Sequence, residues 1–284
     1  MVPPHTVNTK DPLAVAAVVK TAFGDIGAEA SWPLIERLIA DVTDMFAGRH
    51  PGYRSIDMAY HDYEHTLQAT VCLIQILHGR RRSADQPALA PRDWELALMA
   101  VLLHDSGYLK ENHDVAGTGA KYTLIHERRS CDFARLYLPR LGVSATEIED
   151  VCSAIICTGP QSRISQITFH RQEARVFAFM LVTADYLAQM SAADYLDELP
   201  ALYREFQEAY EHEKLPPERR PYRSFPEMLA KTPGFWTNYV RPMLDFEAGG
   251  VHRYLTTAGQ PNSYLQAVEA NIAEVQRRLQ AGLG

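Results

Sequence analysis

The chain has 284 residues, 46% hydrophobic and 22% charged, and its 28 basic against 35 acidic side chains give a formal net charge of −7. This composition excludes a disordered or collagenous protein, and the acidic balance excludes a chain whose main task is to coat nucleic acid or an anionic membrane. By surface scaling, a folded chain of this size exposes roughly 12,000 Å² of the roughly 46,000 Å² of its extended form, enough burial for a core without covalent staples.

The predicted elements are helical nearly throughout. From Trp32 to Phe46, Leu34, Ile35, Leu38, Ile39, Val42, Met45 and Phe46 fall at the three-and-four spacing of one buried helix face. Similar stripes run over 61–78, 92–104, 123–138, 145–157, 171–190, 194–212, 225–246 and 263–279. Ser144 before Glu147, Ser191 before Asp194 and Ser224 before Glu227 each place a hydroxyl three residues ahead of an acid, a pattern that opens helices. No segment joins period-two alternation to an Asn-Gly or Asp-Gly turn, so strands are not expected. The breakers at 79–91, 104–119, 157–163, 214–224 and 247–263 are too short to be flexible interdomain linkers. The sequence therefore predicts an all-α protein, a single compact multi-helix bundle. An N-terminal helical segment (1–54) packs on a core (55–246), and a C-terminal loop and helix (247–284) follow.

Cys72, Cys131, Cys152 and Cys157 form no C-x-x-C pair, so reduced thiols in a cytoplasmic protein are expected. The start MVPPHTVNTKDPLAVAAVVK lacks the basic and apolar regions of a targeting segment, and the longest apolar run, Leu96 to Leu103, falls far short of the ~20 residues of a membrane span. Neither a membrane nor a nucleic-acid polymer is an expected partner.

Three places put polar chemistry where the pattern demands burial. In YHDYEHTLQAT, His61 and His65 stand four apart, about 40° apart in azimuth and about 6 Å along a helix, so two imidazoles share a face. Alone, such a pair reads equally as a surface feature. His104 and Asp105 follow directly on the apolar run LALMAVLL and precede Ser106 and Gly107, which brings an imidazole and a carboxylate to the interior. There a charge needs a cation or a full hydrogen-bond shell. A capped loop with a satisfied core histidine is the plainer alternative. Asp185 lies inside FAFMLVTADYLAQM, where a lone acid reads as a buried helix-helix hydrogen bond. Together, His65, His104, Asp105 and Asp185 make a mixed nitrogen and oxygen set suited to a divalent ion, with Mn, Fe, Ni, Zn and Mg all compatible. Two carboxylates leave room for a second, weaker ion, and a metal pair matches in-line phosphoryl displacement.

The order His65, then His104 and Asp105, then Asp185 resembles the HD-domain metal-dependent phosphohydrolase superfamily. YHDYEH resembles the Y-H-N-x-x-H signature of its cyclic-nucleotide phosphodiesterase branch. TLIHERRS resembles the L-E-N-H-H helix of that branch, MLVTADYLA its M-x-x-T-A-C-D-L-S segment, and TPGFWTNYVRPML its S-Q-x-G-F segment ending in P-L. The likeness covers Tyr60 to Met243. It implies that His65, His104, Asp105 and Asp185 bind the tighter metal and that Asp105 bridges to a second. His126 is then a supporting or second-metal residue, and His61 the general acid that protonates the leaving oxygen after metal-hydroxide attack. Phe235 matches an aromatic clamp and equally reads as core, while Arg128 and Arg129, just past His126, are the arginines best placed to meet phosphate.

The departures are specific. Leu109 stands where a later histidine belongs, with His113 as the substitute in reach, and Thr232 stands where a purine-reading glutamine belongs. A threonine hydroxyl cannot present the paired donor and acceptor of an amide. Asp62 and Gln68 also depart from the pattern. The implied activity is divalent-metal-dependent hydrolysis of a phosphoester in a small, nucleotide-like substrate. Its rivals are a nucleoside mono- or triphosphate phosphohydrolase and a non-catalytic metal- and nucleotide-binding sensor. His5, His50, His78, His170, His212 and His252 have no partner at ligand spacing and read as structural or surface.

Overall fold

A computed structural model describes residues 6–159, 163–256 and 260–282; His5 lies outside them. Helices begin where the chain supplies a cap. Asp11 Oδ1 accepts the Leu13 N–H at 2.9 Å, and Pro12 fills the first turn, opening α1 (Pro12–Asp25). The hydrophobic stripes did not single out this helix, although the Asp-Pro start signals it. α2 (Trp32–Phe46) buries the predicted stripe. Asp62 caps α3 (Tyr63–Ser83) by accepting the His65 N–H at 3.0 Å, so the first turn that carries His65 is anchored at its base. α4 (Pro91–Leu103), α5 (His126–Tyr137), α6 (Ala145–Ile156), α7 (Gln172–Met190), α8 (Tyr195–His212), α9 (Phe225–Phe235) and α10 (Ser263–Gln280) complete ten α-helices among the described residues. These residues hold no strand; Tyr53 and Glu111 form an isolated bridge. The all-α reading is correct.

Three boundaries differ from expectation. α3 starts at Tyr63 with Asp62 as its cap, so His61 lies on the loop before the helix and does not share a helix face with His65. Ser191 does not open α8: it is the C-cap of α7, its hydroxyl donates back to the Ala188 carbonyl, and Asp194 stands at the α8 N-cap with no side-chain bond. A hydroxyl near two helix ends serves the upstream one here because a buried serine finds a free carbonyl there first. Past α9 the chain continues through two wide π turns, Trp236–Val240 and Met243–Glu247, rather than as one regular helix to 246. Ser144 and Ser224 cap α6 and α9 as predicted.

α3, α4 and α7 pack on one another at the centre, and α6 closes against α4, α5 and α7. α1 and α2 cover α3 and α4, while α10 lies on α7 and α9 and sinks Val268 and Val275 completely. The C-terminal helix therefore belongs to the same core as the rest. No single helix among the described residues is long and apolar enough to cross a membrane; α7 and α8 pass that test only as a pair bent by 111°, and α7 is buried along most of its length.

The helix ends are tied together by charge. Glu147 closes the α6 capping box, accepting the Ser144 N–H at 2.9 Å, and takes a bidentate grip from Arg92 of α4 at 2.7 and 3.1 Å. The Arg92 guanidinium lowers the Glu147 carboxyl from 4.5 to about 2. A depressed carboxyl contributes stability above its unfolded value that is lost as pH falls from 4.5 toward 2. Glu147→Gln keeps the cap and removes the charge, so it should cost about 1 kcal/mol at neutral pH, allowing for solvent screening. In urea unfolding series the gap between the two proteins should close as pH is lowered through that window.

Candidate metal centre

The centre of the bundle is where polar side chains have no water to fall back on. α3 brings His65, the end of α4 brings His104 and Asp105, α7 brings Asp185 and the start of α5 brings His126; all five are less than a tenth exposed. His65 Nε2 lies 3.0 Å from Asp185 Oδ1 and 3.6 Å from Asp105 Oδ2. His104 Nε2 lies 3.4 Å from Asp105 Oδ2 and 3.6 Å from Asp185 Oδ1. Ligand atoms of His65, His104 and Asp185 all fall within 4.8 Å of one another, the spread of donors about one ion. Asp105 joins them through Oδ2, while its Oδ1 faces His126 Nε2 at 3.6 Å. One carboxylate thus addresses two separate sets of imidazoles.

The tautomers are fixed from behind. His104 Nδ1–H donates to the Val101 carbonyl at 2.7 Å and His126 Nδ1–H to the Thr123 carbonyl at 2.8 Å, so each ring turns its Nε2 toward the carboxylates. Ser130 Oγ accepts the Gly107 N–H at 2.8 Å and donates to the His104 carbonyl at 2.5 Å, lashing α5 to the chain that follows α4. Gly107 has to be glycine: a Cβ there would stand 2.0 Å from the His126 carbonyl oxygen. That close approach sets His126 against Asp105.

The donor set fits a divalent cation. His104 Nε2 and Asp105 Oδ2 are buried polar atoms without a hydrogen-bond partner, and they face each other. Burial opposes charge on His104, but Asp105 and Asp185 outweigh it and push its pKa up to about 9. Burial likewise opposes ionisation of both carboxyls, yet the imidazoles hold Asp105 and Asp185 well below the usual carboxylate range. The cluster carries surplus negative charge, which a proton or a cation neutralises.

His61 stands beside the cluster rather than in it. Its Nδ1 meets Glu205 Oε2 of α8 at 2.6 Å. Burial depresses the His61 pKa, but the Glu205 carboxylate more than offsets this and raises it. Glu205 Oε1 also takes the N–H groups of Ala59 and Tyr60 at 3.1 and 2.7 Å, so the same residue sets the loop that carries His61. Tyr108 wedges against both neighbours, stacking on His126 at 4.3 Å and on His61 at 4.9 Å between ring centroids. Neither Glu205 nor Tyr108 was singled out from sequence. Glu205 had a signal: it stands midway between Ala201 and Ala209 on the buried face of an otherwise well-charged helix.

A cleft of about 330 Å³ opens on these groups, lined by His61, His65, Asp105, His126 and Asp185 and reached by Thr232 and Phe235. Thr232 Oγ1 is spent on the Met228 carbonyl of its own helix at 3.0 Å, and Phe235 stacks on Tyr239 at 5.3 Å. Two expected residues are not brought here. Arg128 is exposed and does not line the cleft, because its position on α5 is turned away from the face that bears His126 and Ser130. Its neighbour Arg129 is committed to the Gly107 and Leu109 carbonyls. His113 is 82% exposed beside Glu111 and takes no part in the cluster, since the buried anchors Lys110 and Lys121 hold its loop at the surface. Leu109 is buried in the core. No protein-family model matches this chain, and no curated protein does.

Proposed function

We propose that this chain is a divalent-metal-dependent hydrolase of phosphoester bonds in small molecules, of the HD-domain kind that its motifs resemble. The observation that carries the reading is the meeting of His65, His104, Asp105 and Asp185, with two orphaned buried donor atoms, at the floor of a cleft that also holds the Glu205-braced His61. These four residues would hold the tight ion, and Asp105 with His126 would face a second. A bound divalent ion supplies Lewis-acid stabilisation of charge on phosphoryl oxygens and activation of water.

The protein's own groups account for the rest. His61, with Nδ1 engaged by Glu205, has its other ring nitrogen left for the substrate, and the Glu205 carboxylate favours its protonated form. As water oxygen bonds to phosphorus and the ester P–O bond breaks, His61 donates its proton to the departing alkoxide, which a poor leaving group requires. Glu205 balances the imidazolium and orients it. Tyr108 keeps the His61 and His126 rings in place from the side.

Metal analysis of purified protein by mass spectrometry, run with a panel of diesters, monoesters and nucleoside triphosphates at saturating Mn²⁺ or Mg²⁺, tests the reading. One tightly held divalent ion and ester hydrolysis abolished by chelator are expected. Metal-loaded protein that hydrolyses none of the panel would overturn it in favour of a binding module.

A further inference from the structure

We infer that the substrate is a singly charged phosphodiester whose alcohol portion is a long apolar group, rather than a nucleoside polyphosphate; the inference rests on the proposed phosphohydrolase reading. Beyond the histidines and acids, the cleft wall is largely aliphatic and aromatic surface, the rings of Tyr186, Tyr195 and Tyr210 included. Leu199, Leu202 and Phe206 form one stripe along α8, and Tyr222, whose ring packs on Phe206 at 5.6 Å, joins Met228 and Phe235 in lining the same cleft. The hydroxyls of Thr123, Thr158 and Thr232 all donate to backbone carbonyls, and Gln189 Oε1 accepts the Tyr60 hydroxyl at 2.7 Å, so this glutamine keeps only its N–H donors and cannot present the paired donor and acceptor that read the edge of a base.

Charge decides against polyphosphates. Among the described residues no lysine or arginine lines the cleft. Two cations touch its outer wall, but Lys231 is engaged by Glu227 and the Pro221 carbonyl, and Arg220 Nε donates to the Leu215 carbonyl. A triphosphate brings three or four negative charges and is ordinarily met by arginine or lysine donors. Here only the metal centre would meet them, where Asp105 and Asp185 already offset two of its positive charges. A diester brings one negative charge, which that centre can take, and leaves its organic arm to the apolar wall, where each buried methylene gains about fourfold in affinity.

The test uses metal-loaded protein and monomethyl n-alkylphosphonates, whose C–P bond ester hydrolysis does not cleave, titrated calorimetrically from ethyl to hexyl. Affinity should rise roughly thirty- to two-hundredfold across the series, with an increasingly negative heat-capacity change. Leu202→Gln should flatten that rise, and Leu202→Met should restore it. A flat series in protein that still hydrolyses phosphodiesters would overturn this inference alone, as would ATP binding more tightly than the hexyl ligand. Metal-loaded protein that neither binds the series nor hydrolyses any ester would overturn the phosphohydrolase reading with it.

Discussion

Asp185→Asn is expected to empty the metal centre and to reduce phosphoester turnover to that of chelated protein, whereas His61→Ala should keep the ion and lose about 10²- to 10⁴-fold in rate. The two outcomes differ because Asp185 Oδ1 is within 3.0 Å of His65 Nε2 and 3.6 Å of His104 Nε2, inside the donor set, while His61 is bonded outward to Glu205. Removing one oxygen charge leaves two imidazoles with a weaker counter-ligand; removing the acid leaves the ligands untouched. Glu205→Gln should behave like His61→Ala. An amide retains an acceptor for the Ala59 and Tyr60 N–H groups, but it cannot stabilise an imidazolium. Mass-spectrometric metal content and kcat measured on the same preparations separate the cases. Asp185→Asn protein with full metal and full activity would remove the proposed centre.

Arg171→Met should lower stability by about 3 kcal/mol, seen as a fall in Tm of roughly 6–12 °C. Arg171 Nε binds Asp150 Oδ2 at 2.7 Å and one terminal nitrogen binds Asp93 Oδ1 at 2.9 Å. Both aspartates are nearly inaccessible, at 1% and 4% exposure, and they sit on α6 and α4, so one guanidinium at the entry to α7 joins three helices. Without it two carboxylates share a dry site with no cation. Arg171 itself is 35% exposed, which places the cost at the lower end for a broken buried pair. Adding Asp150→Asn to Arg171→Met should recover part of the loss, a non-additivity that thermal unfolding reads directly. Full additivity would mean that the three groups do not act as a unit.

The helical architecture was legible because most helices are amphipathic or wholly apolar, and that pattern depends only on local order. Ten helices follow from it with one addition, α1, whose Asp11 and Pro12 start signal was present but whose apolar stripe is weak. Fine boundaries were less legible. Ser191 offered its hydroxyl to either of two helices, and only the burial of that corner decides between them. The π turns after Phe235 leave no mark in residue type.

At the centre, His104, Asp105 and Asp185 were readable because they end or interrupt an apolar run, where a polar residue must have a partner, whereas His65 was marked only by its spacing from His61. His126 was reached only through family resemblance. Partners across long separations were not readable: the place of Glu205 between Ala201 and Ala209 marks it as a buried acid, but nothing local says that its partner is His61, 144 residues away. Arg128 illustrates the converse. Sequence proximity to His126 suggested phosphate contact, but residues two apart on a helix point about 200° apart in azimuth, and that turns Arg128 to solvent.

The ring of Tyr108 has a consequence for any evolutionary or engineered change near it. Because His61 and His126 both stack on one phenol, with 6.4 Å between their own centroids, the proposed proton donor and the proposed outer ligand share a single support. Swapping that ring for a smaller residue releases both at once, so under the proposed function leaving-group chemistry and occupancy of an outer ion could not be adjusted separately.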